Sequence, residues 1–310
     1  MQQKLESYFH ITPTFNEKIK RCFIYDPGNY KASFEYKPEP TDTFVINKLN
    51  VKLYYRKPTV QKNIPIPVIE CKYNVPLIKS NLQKAIRRRD HQIAIQSTLA
   101  LIQLAPMELL RRLPIIYIED VCLMDSYPIV VWLMMADRVL TNIDIDILLH
   151  IVNSLCSCES FYPYVKNDIC YAYTHELLQD SDALLSLYYR SLYGGMKGDM
   201  QMLRVSIDYY RMHPDEIGVT MYNCIDYSII NPNIDVLIEA IDFHCYPQML
   251  HTLNKLTHIN KDAIKMCIWF VESGYNVRKP ETQVASEQYA SSVDWKKIEN
   301  HIEDVRYQML

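Results

Sequence analysis

The sequence predicts a mainly α-helical protein with a small β-rich segment at its N-terminal end. Three observations carry that expectation. Residues 10 to 75 contain seven of the sixteen prolines, Pro13, Pro27, Pro38, Pro40, Pro58, Pro65 and Pro67, between short runs rich in Val, Ile, Phe and Tyr. From Leu77 onward the apolar residues recur with a period of 3.6 and continue so to the end of the chain. The starts of these periodic runs carry capping residues or first-turn prolines, such as Asn260 before KDAIKMCIWFVE and Pro214 before DEIGV.

Taken in order, the stretch QQKLESYF, Gln2 to Phe9, comes first. Leu5, Tyr8 and Phe9 fall on one face of a single helical turn, with Gln2 at its lip. A strand follows in VINKLNVKLYYR, Val45 to Arg56. One face of it carries Val45, Leu49, Val51, Leu53 and Tyr55, with Asn47 as the polar member. The other carries Ile46, Lys48, Asn50, Lys52, Tyr54 and Arg56. Such lysines either protect an edge strand from aggregation or follow phosphates while Tyr54 stacks on a base. Helices are expected to begin near Ile78, His91, Met107, Pro128, Asp144, Ser181, Met200, Asp215, Asn233, Gln248, Asp262 and Ser292. The run YPIVVWLMMA, Tyr127 to Ala136, reads as a buried helix, and GGMKGD, Gly194 to Asp199, as a helix–helix turn. No repeat of fixed period is present. The expected organisation is a tail over 1–12, a β-rich basic segment over 13–76, a helical domain over 77–200 and a C-terminal helical region over 201–310.

Composition narrows the function classes. Only 6 of 310 residues are glycine, which nearly excludes glycine-rich cofactor loops, and the Walker spacing GxxxxGK[ST] is absent. No apolar run reaches the ~18 residues of a membrane span, and the polar first residues do not read as a signal peptide. Nine cysteines at irregular spacing suit free thiols in a reducing compartment, so the protein is expected to be intracellular. The net charge of −3 conceals an asymmetry: residues 1–112 carry 19 Lys/Arg against 9 Asp/Glu, and residues 113–310 carry 14 against 27. A split of this kind points the first third toward a polyanion, or reflects two regions of different composition.

QQKLESYF matches the pattern Q-x-x-[aliphatic]-x-x-[aromatic]-[aromatic] in all four defined positions. This is the PIP box, the peptide that docks proteins on the sliding clamp PCNA. Leu5, Tyr8 and Phe9 form a three-pronged apolar plug, and Gln2 can hydrogen-bond at the pocket edge. The alternative is the first turn of a core helix.

The stretch from Ser80 to Ala136 reads as helix, turn, helix, turn, helix, with Leu82, Ile86, Ile93, Ile95, Leu99 and Ile102 as core positions. Lys84, Arg87 and Arg88 share a helical face, Arg111 and Arg112 begin a second cationic site, and Pro114 is expected to kink or interrupt its helix. The order S-x-x-x-K-A-I-R-R-x-D (Ser80, Lys84 to Arg88, Asp90), E-x-x-R-R-L (Glu108, Arg111 to Leu113) and E-D-V-x-L-x-D (Glu119 to Val121, Leu123, Asp125) carries a family likeness. It resembles the C-terminal helical collar of the replication-associated recombination protein and the Werner-helicase-interacting ATPase, of the clamp-loader clade of AAA+ ATPases. The resemblance implies a clamp-loader-collar-like body, self-association and work at replication forks. No Walker A or Walker B motif precedes the stretch, so it implies a collar without a motor.

Catalytic patterns are sparse. Glu70 and Lys72 in IPVIECKYN form an E-x-K that PD-(D/E)xK nucleases use with Mg²⁺, with Asp26 as the further carboxylate. Cys156 and Cys158 form a lone C-x-C, and His244, Cys245, His251 and His258 lie loosely together, without a ligand pair at zinc-finger spacing. The expectation is a non-catalytic DNA replication or repair accessory protein without cofactor or metal. Its partners would be a PCNA-type clamp through Gln2, Leu5, Tyr8 and Phe9, and DNA through Lys48, Lys52, Tyr54, Arg56, Lys84, Arg87, Arg88, Arg111 and Arg112. It would form a homo-oligomer through the helical body, in the nucleus or another site of replication. A Mg²⁺-dependent nuclease and a purely structural oligomeric scaffold are the alternatives.

Overall fold

Four short strands precede a helical body in the computed structural model, which describes residues 22–59, 64–163, 180–243 and 245–309. Strands β1 (Cys22–Asp26), β2 (Lys31–Glu35), β3 (Thr43–Lys48) and β4 (Val51–Tyr55) form one mixed sheet in the order β2-β1-β4-β3. β1 runs antiparallel to β2 and parallel to β4. Its five residues, CFIYD, are all buried, as suits the apolar run of an interior strand. Asp26 closes the turn to β2 by accepting from the Asn29 backbone at 3.1 Å and its side-chain amide at 2.8 Å.

The strand expected over Val45 to Arg56 is a hairpin. Leu49 and Asn50 have φ of 53° and 62°, the paired left-handed geometry whose twist matches that of the flanking strands. The turn inverts the faces read from a continuous strand. Lys48 lies opposite Val51 and shares its face, whereas Lys52 lies opposite Asn47 on the other.

The helices are α1 (Val75–Arg88), α2 (His91–Leu104), α3 (Pro106–Asp120), α4 (Tyr127–Ala136), α5 (Asn142–Ser157), α6 (Asp182–Tyr193), α7 (Lys197–Met212), α8 (Pro247–Thr257), α9 (Lys261–Ile268), α10 (Pro280–Ala290) and α11 (Val293–Tyr307). Local chemistry sets many starts: Asn74, Asp90, Ser181, Asn260 and Ser292 each accept a backbone N–H in the first turn, and Thr141 with Asp144 makes a capping box. Helix α3 runs through Pro114 rather than stopping there. α4 is buried along its whole length, as its apolar run predicts. The sheet lies against it: the Trp132 indole donates to the Phe23 carbonyl at 2.9 Å, and its ring lies 5.0 Å from Tyr25.

Helices expected near Asp215 and Asn233 are absent. Residues 213–237 cross the helical body as extended chain broken by 3₁₀ turns at Pro214–Glu216 and Tyr227–Ile229. Two buried amides explain this override of propensity. Gln96 donates to the carbonyls of Asn231 and Asn233 and accepts from the Asp235 N–H. Asn81 donates to the Asp235 carbonyl and accepts from the Leu237 N–H, both at 2.9 Å. The segment's backbone groups are paired with the core instead of with one another. α10, which the sequence reading missed, buries none of its residues, so it presents no apolar stripe.

A large core spans the sheet and α1 to α7, and a second one gathers Met249, Leu253, Ile264, Ile268, Trp295, Ile298 and Ile302 from α8, α9 and α11. The division expected at residue 200 falls inside α7, which belongs to the large core. The two cores are joined by a polar seam. Helices α1, α3 and α5 end near one another, and each leaves carbonyls without helical partners. The segment after the π turn Trp269–Ser273 fills that junction. Arg278 donates to the carbonyls of Cys158 (2.7 Å), Ile86 (2.7 Å), Leu155 (2.6 Å) and Cys156 (3.2 Å). Lys279 reaches the Glu119 carbonyl at 2.7 Å, Asn276 the Asp120 carbonyl at 2.9 Å, and the Val277 N–H the Arg87 carbonyl at 3.2 Å. A cation there also meets the negative ends of three helix dipoles.

Replacing Arg278 with Met leaves buried carbonyls unpaired, each costing about 1–3 kcal/mol. Urea unfolding is expected to show a loss of about 3–5 kcal/mol, with Lys recovering only part because an ammonium cannot span the same fork. A loss below about 1 kcal/mol would show that the junction is held by other contacts.

Candidate nucleic-acid interface

The α1 cations proposed for phosphate contact face the interior seam. Lys84 and Arg87 are 5 % and 6 % exposed. Arg87 pairs with Asp120 at 2.5 Å and Glu119 at 3.1 Å, and donates to the Ser273 carbonyl at 2.8 Å. Arg88 pairs with Glu239 at 2.8 Å and donates to the Glu272 carbonyl at 3.0 Å. Beside them, Arg306 holds Asp242 through its Nε at 2.9 Å and also pairs with Glu272. Lys84 donates to Ser80 Oγ at 3.1 Å. Burial lowers its ammonium to about 8, with Arg87 and Arg88 adding repulsion and Asp242 and Glu239 opposing it. Cations of the basic first third thus meet carboxylates of the acidic remainder within the molecule. In this fold Lys84 and Arg87 do not face a solvent-borne phosphate.

The second cationic pair divides. Arg112 donates to Gln83 Oε1 and lies 3.7 Å from Glu119 and 3.9 Å from Asp199. Arg111 is exposed, and its carbonyl accepts from Arg190 at 2.9 Å.

On the hairpin, Lys48 leans inward to Tyr193, 3.3 Å from its hydroxyl and 4.8 Å above its ring. Arg56 sits among four carboxylates: Asp42 at 2.8 Å, Asp26 and Glu39 at 3.7 Å, and Glu35 at 4.0 Å. The Arg56 hydrogen bond holds the Asp42 carboxyl below its usual range. Lys52 stays exposed on the outer face, where Asn47 is its cross-strand neighbour. Tyr54 lies on the same face, with the Phe44 ring 5.6 Å away in edge-on contact, and Phe44 is 54 % exposed. The sequence reading missed Phe44, because it began the strand at Val45. The hairpin register, Phe44 opposite Tyr54, is what makes them one patch. Of the cationic positions, the structure leaves Lys52 and Arg111 outward, with Tyr54 and Phe44 as an aromatic platform beside Lys52.

Gln2, Leu5, Tyr8 and Phe9 lie outside the described residues. Glu70 and Lys72 are exposed, and the Glu70 N–H is tied to the Pro232 carbonyl at 2.7 Å. Asp26 is engaged by Asn29 and Arg56, so the E-x-K pattern gains no assembled carboxylate partner from it. Among the described residues no group of three or more His, Cys, Asp or Glu is placed to hold a metal ion, and no helix is long and apolar enough to cross a membrane. A cleft of about 400 Å³ lies between the β1–β2 turn and α6, bordered by Tyr30, Lys31, Asp125, Asp182 and Tyr222. Asp125 and Asp182 accept from the backbone amides of Thr220 and Phe34, so both carboxylates are structural. No protein-family model, curated protein or solved structure matches this chain.

Lys84 gives the seam a pH signature. Below about 8 its ammonium is charged in both folded and unfolded chains, and the burial cost is fully present. Between about 8 and the ordinary 10.5 the folded chain sheds the proton first, so the cost fades as pH rises. Lys84→Met is therefore expected to unfold at higher urea than wild type at pH 7, by roughly 1–3 kcal/mol. That advantage should shrink toward zero by pH 10. An advantage that stays constant with pH would show that Lys84 does not titrate in this range.

Proposed function

We propose that this chain is a non-catalytic accessory protein of DNA replication or repair that docks on a PCNA-type sliding clamp. The observation that carries the reading is QQKLESYF, with Gln2, Leu5, Tyr8 and Phe9 at all four defined positions of the clamp-binding peptide. Two aromatics and a leucine at helical spacing in the sequence would supply the desolvated anchors that dominate such interfaces. The likeness of Ser80 to Asp125 to a clamp-loader collar points the same way, and with it self-association through the helical body and an intracellular site of replication.

DNA contact in this reading is light. Lys52 and Arg111 supply charge, and Tyr54 with Phe44 supplies a stacking surface suited to unpaired bases. The α1 cations belong to the seam, and the Arg56 charge is balanced by the carboxylates around it. In this reading the clamp, more than these few contacts, keeps the chain near DNA.

Titration calorimetry against the clamp is expected to lose roughly a hundredfold or more in affinity when Tyr8 and Phe9 are both changed to Ala. Equal affinities would return the stretch to the first-core-helix reading. On single-stranded DNA, Tyr54→Ala should cost roughly 1–3 kcal/mol. Lys52→Gln should lower the magnitude of the salt slope by about one. Salt-insensitive or undetectable binding would remove DNA from the list of partners and leave the clamp reading standing on its own test.

A further inference from the structure

Cys122 and Cys158 come from opposite sides of the helical junction, one just after α3 and the other capping the end of α5. Their sulfurs are 3.7 Å apart. The surroundings of the two thiols differ sharply. Cys122 is buried, 2 % exposed, and its sulfur lies against Gly218, where a Cβ would come within 3.2 Å of it. Gly218 is itself bonded to the Leu123 carbonyl at 2.8 Å and to the Asp125 N–H at 3.0 Å, so the Cys122 thiol is held in place. Cys158 is partly exposed, its thiol 3.8 Å from the Ser160 carbonyl, and its own carbonyl accepts from the Arg278 guanidinium.

We propose that Cys122 and Cys158 are a peroxide-responsive thiol pair, with Cys158 reacting first and Cys122 resolving it to a disulfide. The electrostatics agree with that order. The hydrogen bond from Cys122, aided by Ser160 and the Arg278 charge, outweighs burial and lowers the Cys158 thiol to about 6. The same hydrogen bond and burial raise Cys122, which keeps its proton. Cys156, two residues from Cys158, is buried, points to the Asp90 carbonyl at 3.9 Å, and is pushed up to about 12. Its thiol is inert by comparison.

The chemistry balances with hydrogen peroxide as the oxidant. The Cys158 thiolate attacks one peroxide oxygen, the S–O bond forms as the O–O bond breaks, and the departing hydroxide takes up a proton as water. Cys122 sulfur then attacks the Cys158 sulfenic acid: the S–S bond forms, the S–O bond breaks, and the leaving hydroxide takes the Cys122 proton as a second water. Two thiols lose two electrons and one peroxide gains them. The required approach, from 3.7 Å to the roughly 2.05 Å of a disulfide, falls on two side chains beside the Arg278 junction.

The full chain, reduced and then treated with hydrogen peroxide, tests this by intact mass and peptide mapping. The expected product is lighter by about two daltons, the mass of two hydrogens. Fragmentation that separates Cys156 from Cys158 should place the link between Cys122 and Cys158. Cys122→Ser should instead accumulate a sulfenic acid at Cys158 that dimedone captures, and Cys158→Ser should leave Cys122 unmodified. A link from either residue to Cys156, Cys170 or Cys224, or no link at all, would overturn the proposal. So would oxidation of Cys122 in Cys158→Ser at the wild-type rate. That variant changes a partly exposed side chain, so the decision stands even where Cys122→Ser does not fold.

Discussion

Helices α1, α3 and α5 end at one junction, and the carbonyls they leave there need hydrogen-bond donors. Arg278 meets the largest share of that need, because a guanidinium presents donors in several in-plane directions and α1 and α5 offer acceptors in matching directions. Asn276, Val277 and Lys279 complete the set with carbonyls of α3 and α1. This short segment leads directly into α10, so its anchoring fixes where that helix begins.

The same seam pairs part of the charge asymmetry within the molecule. Arg87 and Arg88 look, in the sequence, like a cationic helix face awaiting phosphates. In the fold they meet Asp120, Glu119 and Glu239, whose charges belong to the acidic remainder. Buried pairs of this kind add little net stability over a well-packed apolar seam, but removing one partner is costly, so they favour a single arrangement of the two cores. Asn81 and Gln96 act similarly on residues 213–237: two fully bonded amides hold an extended segment whose sequence reads as helix.

Within the proposed function, a hairpin with a single outward lysine suits a protein that is recruited rather than one that grips nucleic acid unaided. Lys52 beside Tyr54 and Phe44 is a small platform on an edge hairpin. The carboxylates around Arg56 weaken its field further. Within the proposed function, the peptide from Gln2 to Phe9 therefore supplies the affinity, and the junction thiols, Cys122 and Cys158, would report the redox state of the compartment without using the recruiting surface.

Much of the architecture was legible in the residues themselves. The onset of period 3.6 near Leu77 marks where the helices begin, at Val75, since burial of one face dictates that period locally. The caps at Asn74, Asp90, Ser181, Asn260 and Ser292 are local too, each a side chain reaching a backbone N–H a few residues away. The match of Gln2 to Phe9 to the clamp-peptide pattern is a statement about sequence only, and those residues lie outside the described structure. Contacts between distant segments decided the rest. Leu49 and Asn50 turned one apparent strand into a hairpin and so changed which lysine faces outward. Gln96 and Asn81 drew out the segment after α7, while α10, lacking an apolar stripe, gave no periodic signal. Whether an arginine meets a phosphate or a carboxylate depends on what the fold brings opposite it. The carboxylates that Arg87 and Arg88 meet, and the carbonyls that Arg278 meets, lie between 32 and 192 residues away in the chain.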